Sequence, residues 1–235
     1  MSSIYFVPSW FVGTSAILEF FFFTIALIIS FYANKIYTLT KQKEHKFFSI
    51  GFLLISLSYL VLLFLNLFFL TKRNNRIFIV EINQIISLTN LIFFLYSVLF
   101  IMGLVTLVYM AFELKNAKLY VLLTLLGIVP ILFSTSRNWL LYPISAVFLL
   151  FLSIYFLERY YETGKTKTLI SFIAFVLLLL TRVEFVFASK NLPFFLFEKC
   201  DMHFIIAHLI ESIAYLLLLF NLINILKNDK KKKQT

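Results

Sequence analysis

A single cysteine, Cys200, stands in a chain of 235 residues. It excludes an internal disulfide and any cysteine cluster for metal. Histidine is nearly as scarce, with three in the chain, of which His45 falls in a basic loop and His203 and His208 in the last apolar stretch. That excludes a b-type haem held by histidines on two facing helices. No G-x-x-x-x-G-K, H-E-x-x-H or G-x-S-x-G occurs. No lysine lies mid-way along the last apolar stretch, where a retinal protein needs one, and the helix 3 and helix 7 signatures of G-protein-coupled receptors are missing. The leader MSSIYFVPSWF has no basic n-region, so the first helix is expected to be retained rather than cleaved. Charged residues make up 14% of the chain. Polar residues are too few to cover a soluble surface.

What is there is apolar: 62% hydrophobic and 19% aromatic residues, with 31 Phe and a mean hydropathy of +0.97. Soluble domains run at about 45–50% apolar. The fold class expected is an all-α membrane protein, one domain with seven transmembrane helices. The segments are 10–33, 47–70, 85–112, 119–133, 139–157, 169–188 and 203–226. Most provide the ~20 residues a hydrocarbon core demands, and each must be helical because lipid satisfies no backbone group. The fourth is short and runs into Pro130, and the third is long enough to tilt.

Orientation follows from the Lys and Arg of alternate loops. Lys35, Lys41, Lys43, Lys46, Lys115, Lys118, Arg159, Lys165, Lys167, Lys227 and Lys230 to Lys233 make 14 on one side. Lys72, Arg73, Arg76, Arg137, Arg182, Lys190 and Lys199 make 7 on the other. The positive-inside rule puts the N-terminus outside and the C-terminus in the cytoplasm of a cell-membrane protein. Trp10, Trp139 and Tyr142 then fall at the outer interface, where amphipathic rings settle. The net charge of +10 signals topology and anionic lipid at the basic tail, residues 227–235, rather than nucleic acid.

The last helix is the informative one. Ionisable groups at bilayer depth cost about 2.5–3.5 kcal/mol each on insertion scales, so they turn toward a protein interior. His208, Glu211 and Tyr215 share one helical face, with Ser212 beside them and Asp201 further up the same line. Helix 1 contributes Glu19, helix 3 the stripe Asn83, Ser87, Asn90 and Ser97, helix 2 the stripe Ser56, Tyr59 and Asn66, and helix 6 Arg182. All lie in the outer halves of their helices, while the inner halves are almost purely apolar. The pattern suggests an outward-facing polar pocket of Glu19, Asn90, Arg182, His208, Glu211 and Tyr215, closed below by Phe and Leu. It would take a small molecule or a lipid. Arg182 could neutralise Glu19, Glu211 or a ligand anion, or pair with Glu184 at the interface. The bland alternative is interhelical hydrogen bonding that glues helices together.

A repeat is a further reading. Lys35, Tyr37, Lys41 and Lys43 align with Arg159, Tyr161, Lys165 and Lys167 at an offset of 124. Gly51, Phe52 and Ser58 align with Ala174, Phe175 and Thr181 at 123, and Ser87, Asn90 and Phe94 with His208, Glu211 and Tyr215 at 121. Helices 1–3 and 5–7 would be parallel repeats joined by helix 4. Against this, Leu- and Phe-rich helices align with anything.

Three functions are carried forward. The first is a non-enzymatic sensor or binding module without a cofactor. The second is a small-solute transporter of the 3+1+3 plan, although Pro8, Pro130, Pro143 and Pro193 sit mostly at helix ends rather than at hinges. The third is a metal-dependent lipid hydrolase, with Asp201, His208 and Glu211 as weak metal candidates. There the spacing His203-x4-His208 keeps the two imidazoles off one helical face. The stretches KIYTLTKQKEHKFFSIGFLLISLSYL and HLIESIAYLLLL give the chain its resemblance to uncharacterised seven-helix integral membrane proteins of archaea. That resemblance implies the architecture and no activity.

Overall fold

The computed structural model describes residues 9–74, 82–112, 117–133, 137–190 and 197–232. Among them all regular structure is helical, in seven helices: α1 (Ser9–Thr40), α2 (Lys43–Asn74), α3 (Ile82–Ala111), α4 (Ala117–Phe133), α5 (Arg137–Thr163), α6 (Thr166–Lys190) and α7 (Phe197–Lys232). Six of them are long and apolar enough to cross a membrane. The exception is α4, whose 17 residues give about 26 Å at ~1.5 Å per residue. The helices outrun the apolar segments at the basic ends. Lys and Glu are good helix formers, so α1 continues through Lys35 to Thr40, and α7 carries the basic tail to Lys232. Pro130 and Pro143, expected near helix ends, both lie inside helices.

Six helices close a ring. Neighbours are α1 with α2, α2 with α3, α3 with α5, α5 with α6, α6 with α7, and α7 back to α1. α4 packs outside the ring against α3 and α5. The lighter seams are α1·α7 and α3·α5, so the ring divides most readily into α1–α2–α3 and α5–α6–α7. Large apolar side chains point outward from it, among them Phe20, Phe31, Phe64 and Leu91, each more than half exposed. This is the inverse of a soluble surface and matches a wall of lipid.

Within a half, small residues let the backbones close up. Ser30 and Ser49 each donate a hydroxyl to the other's carbonyl oxygen, at 2.8 and 2.9 Å, and Ser56 donates to Phe23 O at 3.0 Å. Between α2 and α3, a Cβ added at Gly103 would meet the Gly51 carbonyl oxygen at 2.9 Å and the Ile55 nitrogen at 3.2 Å. These are backbone atoms that cannot step aside.

The turns α1–α2 and α5–α6 are built alike. Lys41 and Gly164 both have positive φ, 58° and 60°. Each donates its N–H to the carbonyl four residues back, Tyr37 at 2.7 Å and Tyr160 at 2.8 Å. His45 N then donates to Gln42 O, as Thr168 N does to Lys165 O. Thr40 ends α1 and Lys43 starts α2, as Thr163 ends α5 and Thr166 starts α6.

The α2–α3 contact gives a stability test. Gly103→Ala should lower the melting temperature in detergent, since overpacking costs about 1–3 kcal/mol and outweighs the helix-propensity gain of up to ~1 kcal/mol. Gly13→Ala, with nothing within 4 Å of the new methyl, should leave it unchanged or raised. Equal melting of the two variants would mean that α2 and α3 stand further apart than described.

Candidate functional site

One buried polar network crosses the ring. α7 brings Glu211, 1% exposed, and α6 brings Arg182, 3% exposed. Arg182 Nη2 lies 2.5 Å from Glu211 Oε1. Tyr59 of α2 donates its hydroxyl to the same carboxylate oxygen at 2.5 Å and accepts from Arg182 Nη2 at 3.1 Å. Tyr215 OH is 3.3 Å from Tyr59 OH. His208, one turn above Glu211, approaches Glu211 Oε2 with Nδ1 at 3.5 Å.

Aromatic rings wall the network. Arg182 Cζ lies 4.5 Å from the centroid of Phe100 and 5.7 Å from that of Phe185, which suits a weakly hydrated guanidinium. Phe22 of α1 touches the rings of Tyr59, His208 and Tyr215. Tyr142 stacks on Phe185 at 5.0 Å, so it packs into the bundle rather than lying free at an interface. The charge is thus neutralised inside the ring, as a low-dielectric setting requires.

Of the residues expected in one pocket, Arg182, His208, Glu211 and Tyr215 come together. Glu19 and Asn90 do not join them. Glu19 is buried one turn above Phe22, and Phe22 fills that face of α1 toward Tyr59 and Tyr215. It is held instead by Asn66, whose Nδ2 is 2.7 Å from both carboxylate oxygens, and by the Ser15 hydroxyl at 3.2 Å. Asn90 sits on the exposed face of α3. Its stripe is continued inward by Ser97, which is buried but spends its hydroxyl on its own helix, at Phe93 O. Asp201 lies outside the described side chains. Among the described residues no three His, Cys, Asp or Glu side chains converge, and Glu211 Oε1 is already taken by Arg182 and Tyr59. Tyr59 is the participant that residue types alone passed over. Its place on the Ser56–Tyr59–Asn66 stripe was the available signal.

Voids lie both beside the network and away from it. A pinhole of about 10 Å³ sits directly beneath Arg182 and Tyr215, between Phe52, Ile55, Phe175 and Leu178. A cavity of about 110 Å³ opens at the basic end, lined among others by Glu44, His45, Phe48, Phe156, Ser171 and Asn221. That cavity lies away from the polar network, which is walled by aromatic rings.

The network predicts strong coupling. Glu211→Leu or Arg182→Met alone strands a buried partner and should cost about 3–5 kcal/mol. The double variant should recover most of that loss. Glu211→Gln, which keeps an acceptor for Tyr59, should fall between wild type and Glu211→Leu. Melting in detergent for the four variants checks this, and additive single losses would show that the two residues do not meet.

No protein-family model matches the chain, and no curated protein or solved structure matches it either.

Proposed function

We propose that the chain is a seven-span cell-membrane protein, N-terminus outside and C-terminus cytoplasmic, that carries a small solute between two three-helix halves. α4 is the seventh span, the linker that gives both halves the same polarity. Partners are the bilayer, anionic lipid at the basic tail, and the solute.

The observation that carries the reading is the arrangement of latch and cavity. Both lie between the halves, the latch well inside its helices and the cavity at the basic end. Tyr59 of the first half meets Arg182 and Glu211 of the second, while Glu44, His45, Phe48 and Met110 of the first half face Phe156, Ser171 and Asn221 of the second across the cavity. A carrier closed outside and open inside requires this combination.

The repeat supports it. Tyr59 and Arg182 are 123 residues apart in sequence, and they touch, as equivalent residues do near a two-fold axis. Lys41 and Gly164, with their shared turn geometry, stand at the same separation of 123 (164 − 41). So do Phe52 and Phe175, and Ile55 and Leu178, all four of which line the pinhole.

A sensor that binds the same solute without moving it is the second reading, favoured by the enclosed contacts among Arg182, Glu211 and Tyr59. Cysteine labelling separates the two. In a Cys200→Ser background, Ile55→Cys, just beneath the latch, should react slowly with an impermeant thiol reagent from outside. Adding Tyr59→Phe, which removes the shared hydroxyl and keeps the ring, should speed that reaction severalfold in a carrier. No change would favour the sensor. Ser2→Cys labelled from outside and Thr235→Cys protected supports the orientation, and the opposite pattern would invert it.

A further inference from the structure

One buried ionisable group has no counter-charge. Glu19 of α1 is 8% exposed. Asn66 Nδ2 lies 2.7 Å from each of its carboxyl oxygens, and the Ser15 hydroxyl 3.2 Å from Oε1. Both partners are neutral, and among the described residues no Lys, Arg or His pairs with Glu19. Glu211, by contrast, has Arg182 at 2.5 Å and His208 at 3.5 Å. Taking an isolated carboxylate out of water costs far more than taking the neutral acid. α1 packs against α2 and α7. The titratable side chains these present to this part of α1 are Tyr59, His208 and Tyr215, which meet Phe22, and Glu211, which bonds to Tyr59 and His208. None of them bonds to Glu19.

The surroundings serve the carboxyl with or without a proton. Ionised, it accepts from Asn66 on both oxygens and from Ser15. With a proton on Oε1, that O–H can donate to Ser15 Oγ, because a hydroxyl accepts as well as donates, while Oε2 still accepts from Asn66. The oxygens face an N–H donor rather than the further oxygens that a hard metal cation needs, so the ligand that fits is a proton.

The position ties this site to movement between the halves. Phe22 of the first half meets His208 and Tyr215 of the second across the lighter α1·α7 seam. Residues three apart are neighbours on a helix surface, so Glu19 adjoins the ring that closes this seam. Its partners Ser15 and Asn66 belong to its own half, so the site travels as a unit when the halves part.

We propose that Glu19 is a proton-binding site that couples closure of the seam between the halves to proton uptake. In the closed state the proton sits on Glu19 Oε1, and the O–H donates to Ser15 Oγ. When the seam parts, water enters and takes the proton, and the hydrated carboxylate holds the seam open. The coupling rests on the carrier reading, and the proton site does not.

The test uses the full chain in lipid from pH ~4 to ~9, a span that covers exposed and buried carboxyls. Infrared difference spectra should show a protonated-carboxyl carbonyl component that fades as pH rises and is missing in Glu19→Gln. In the Cys200→Ser background, labelling of Ile55→Cys from outside is compared with labelling of the same cysteine in Glu19→Gln, a ratio that cancels the thiol's own titration. The ratio should be near unity at low pH and rise severalfold at high pH. An infrared spectrum unchanged by Glu19→Gln would overturn the proposal. So would a ratio flat with pH where Tyr59→Phe still speeds labelling. Should Glu19→Gln fail to assemble, Glu19→Asp, whose shorter side chain withdraws the carboxyl from Asn66, should move the midpoint of the infrared component, and an unmoved midpoint would also overturn it. A component that titrates with Glu19 while neither pH nor Tyr59→Phe alters labelling supports the proton site and removes the carrier reading. Faster labelling in Tyr59→Phe without any component from Glu19 removes the site and leaves the carrier.

Discussion

A guanidinium at bilayer depth must be paired within the protein, and the Arg182–Glu211 contact sets the terms for the rest of the ring. It fixes α6 and α7 in rotation and depth, since neither side chain reaches water, at 3% and 1% exposure. The remaining polar capacity is then filled by Tyr59 from the opposite helix and by rings rather than solvent. Once the charges are enclosed, the outer faces are free to be largely apolar, as the exposed Phe20, Phe31, Phe64 and Leu91 show.

The two carboxylates are satisfied separately, and each within its own half. Glu19 is held by Ser15 and Asn66 of α1 and α2, Glu211 by Arg182 and His208 of α6 and α7. What crosses between the halves at that depth, among the described residues, is the hydroxyl of Tyr59. At the basic rim it is the exposed pair Glu44–Arg159. This division has an energetic consequence. Separating the halves at the latch breaks hydrogen bonds of the neutral Tyr59 hydroxyl, worth about 0.5–1.5 kcal/mol each, up to ~3 where the partner is charged. The ion pair, whose rupture would cost about 3–5 kcal/mol, stays whole. For the carrier proposed above, a seam that opens is cheaper to build this way than with Arg and Glu on opposite sides.

Much of this was legible in the sequence because the bilayer leaves few choices. Long apolar runs become helices, and the face shared by His208, Glu211 and Tyr215 follows from helical spacing alone. The partners of those residues were not legible. Glu19 and Glu211 lie at similar depths on neighbouring helices, and depth does not reveal that Phe22, one turn below Glu19, occupies the space between. Asn90 fitted a polar stripe, but a stripe does not declare whether it faces in or out when the opposite face is equally apolar, and it faces out. Tyr59 lies on the polar stripe of helix 2, but a stripe does not show that its hydroxyl reaches Arg182 and Glu211. The cavity at the basic end was masked for a similar reason. Asn221 is a single amide in LLLLFNLINIL, and its role depends on a carbonyl, Lys167, that residue types cannot show to be nearby.

The proposed repeat explains why the latch has the composition it does. Near a two-fold axis, equivalent positions meet each other, so identical residues there would set like against like. Phe52 with Phe175, and Ile55 with Leu178, tolerate this because apolar contacts have no sign. At the next turn the pair is Tyr59 and Arg182, separated by the same 123 residues, and there two arginines would repel while two tyrosines would leave Glu211 without a counter-charge. The third helices diverge correspondingly. At the offset of 121, Asn90 on α3 is exposed and uncharged where α7 has buried Glu211. The asymmetry therefore falls where chemistry requires it, at the axis and on the helix that supplies the counter-charge. The turns α1–α2 and α5–α6 carry no charge into the core and keep a common geometry.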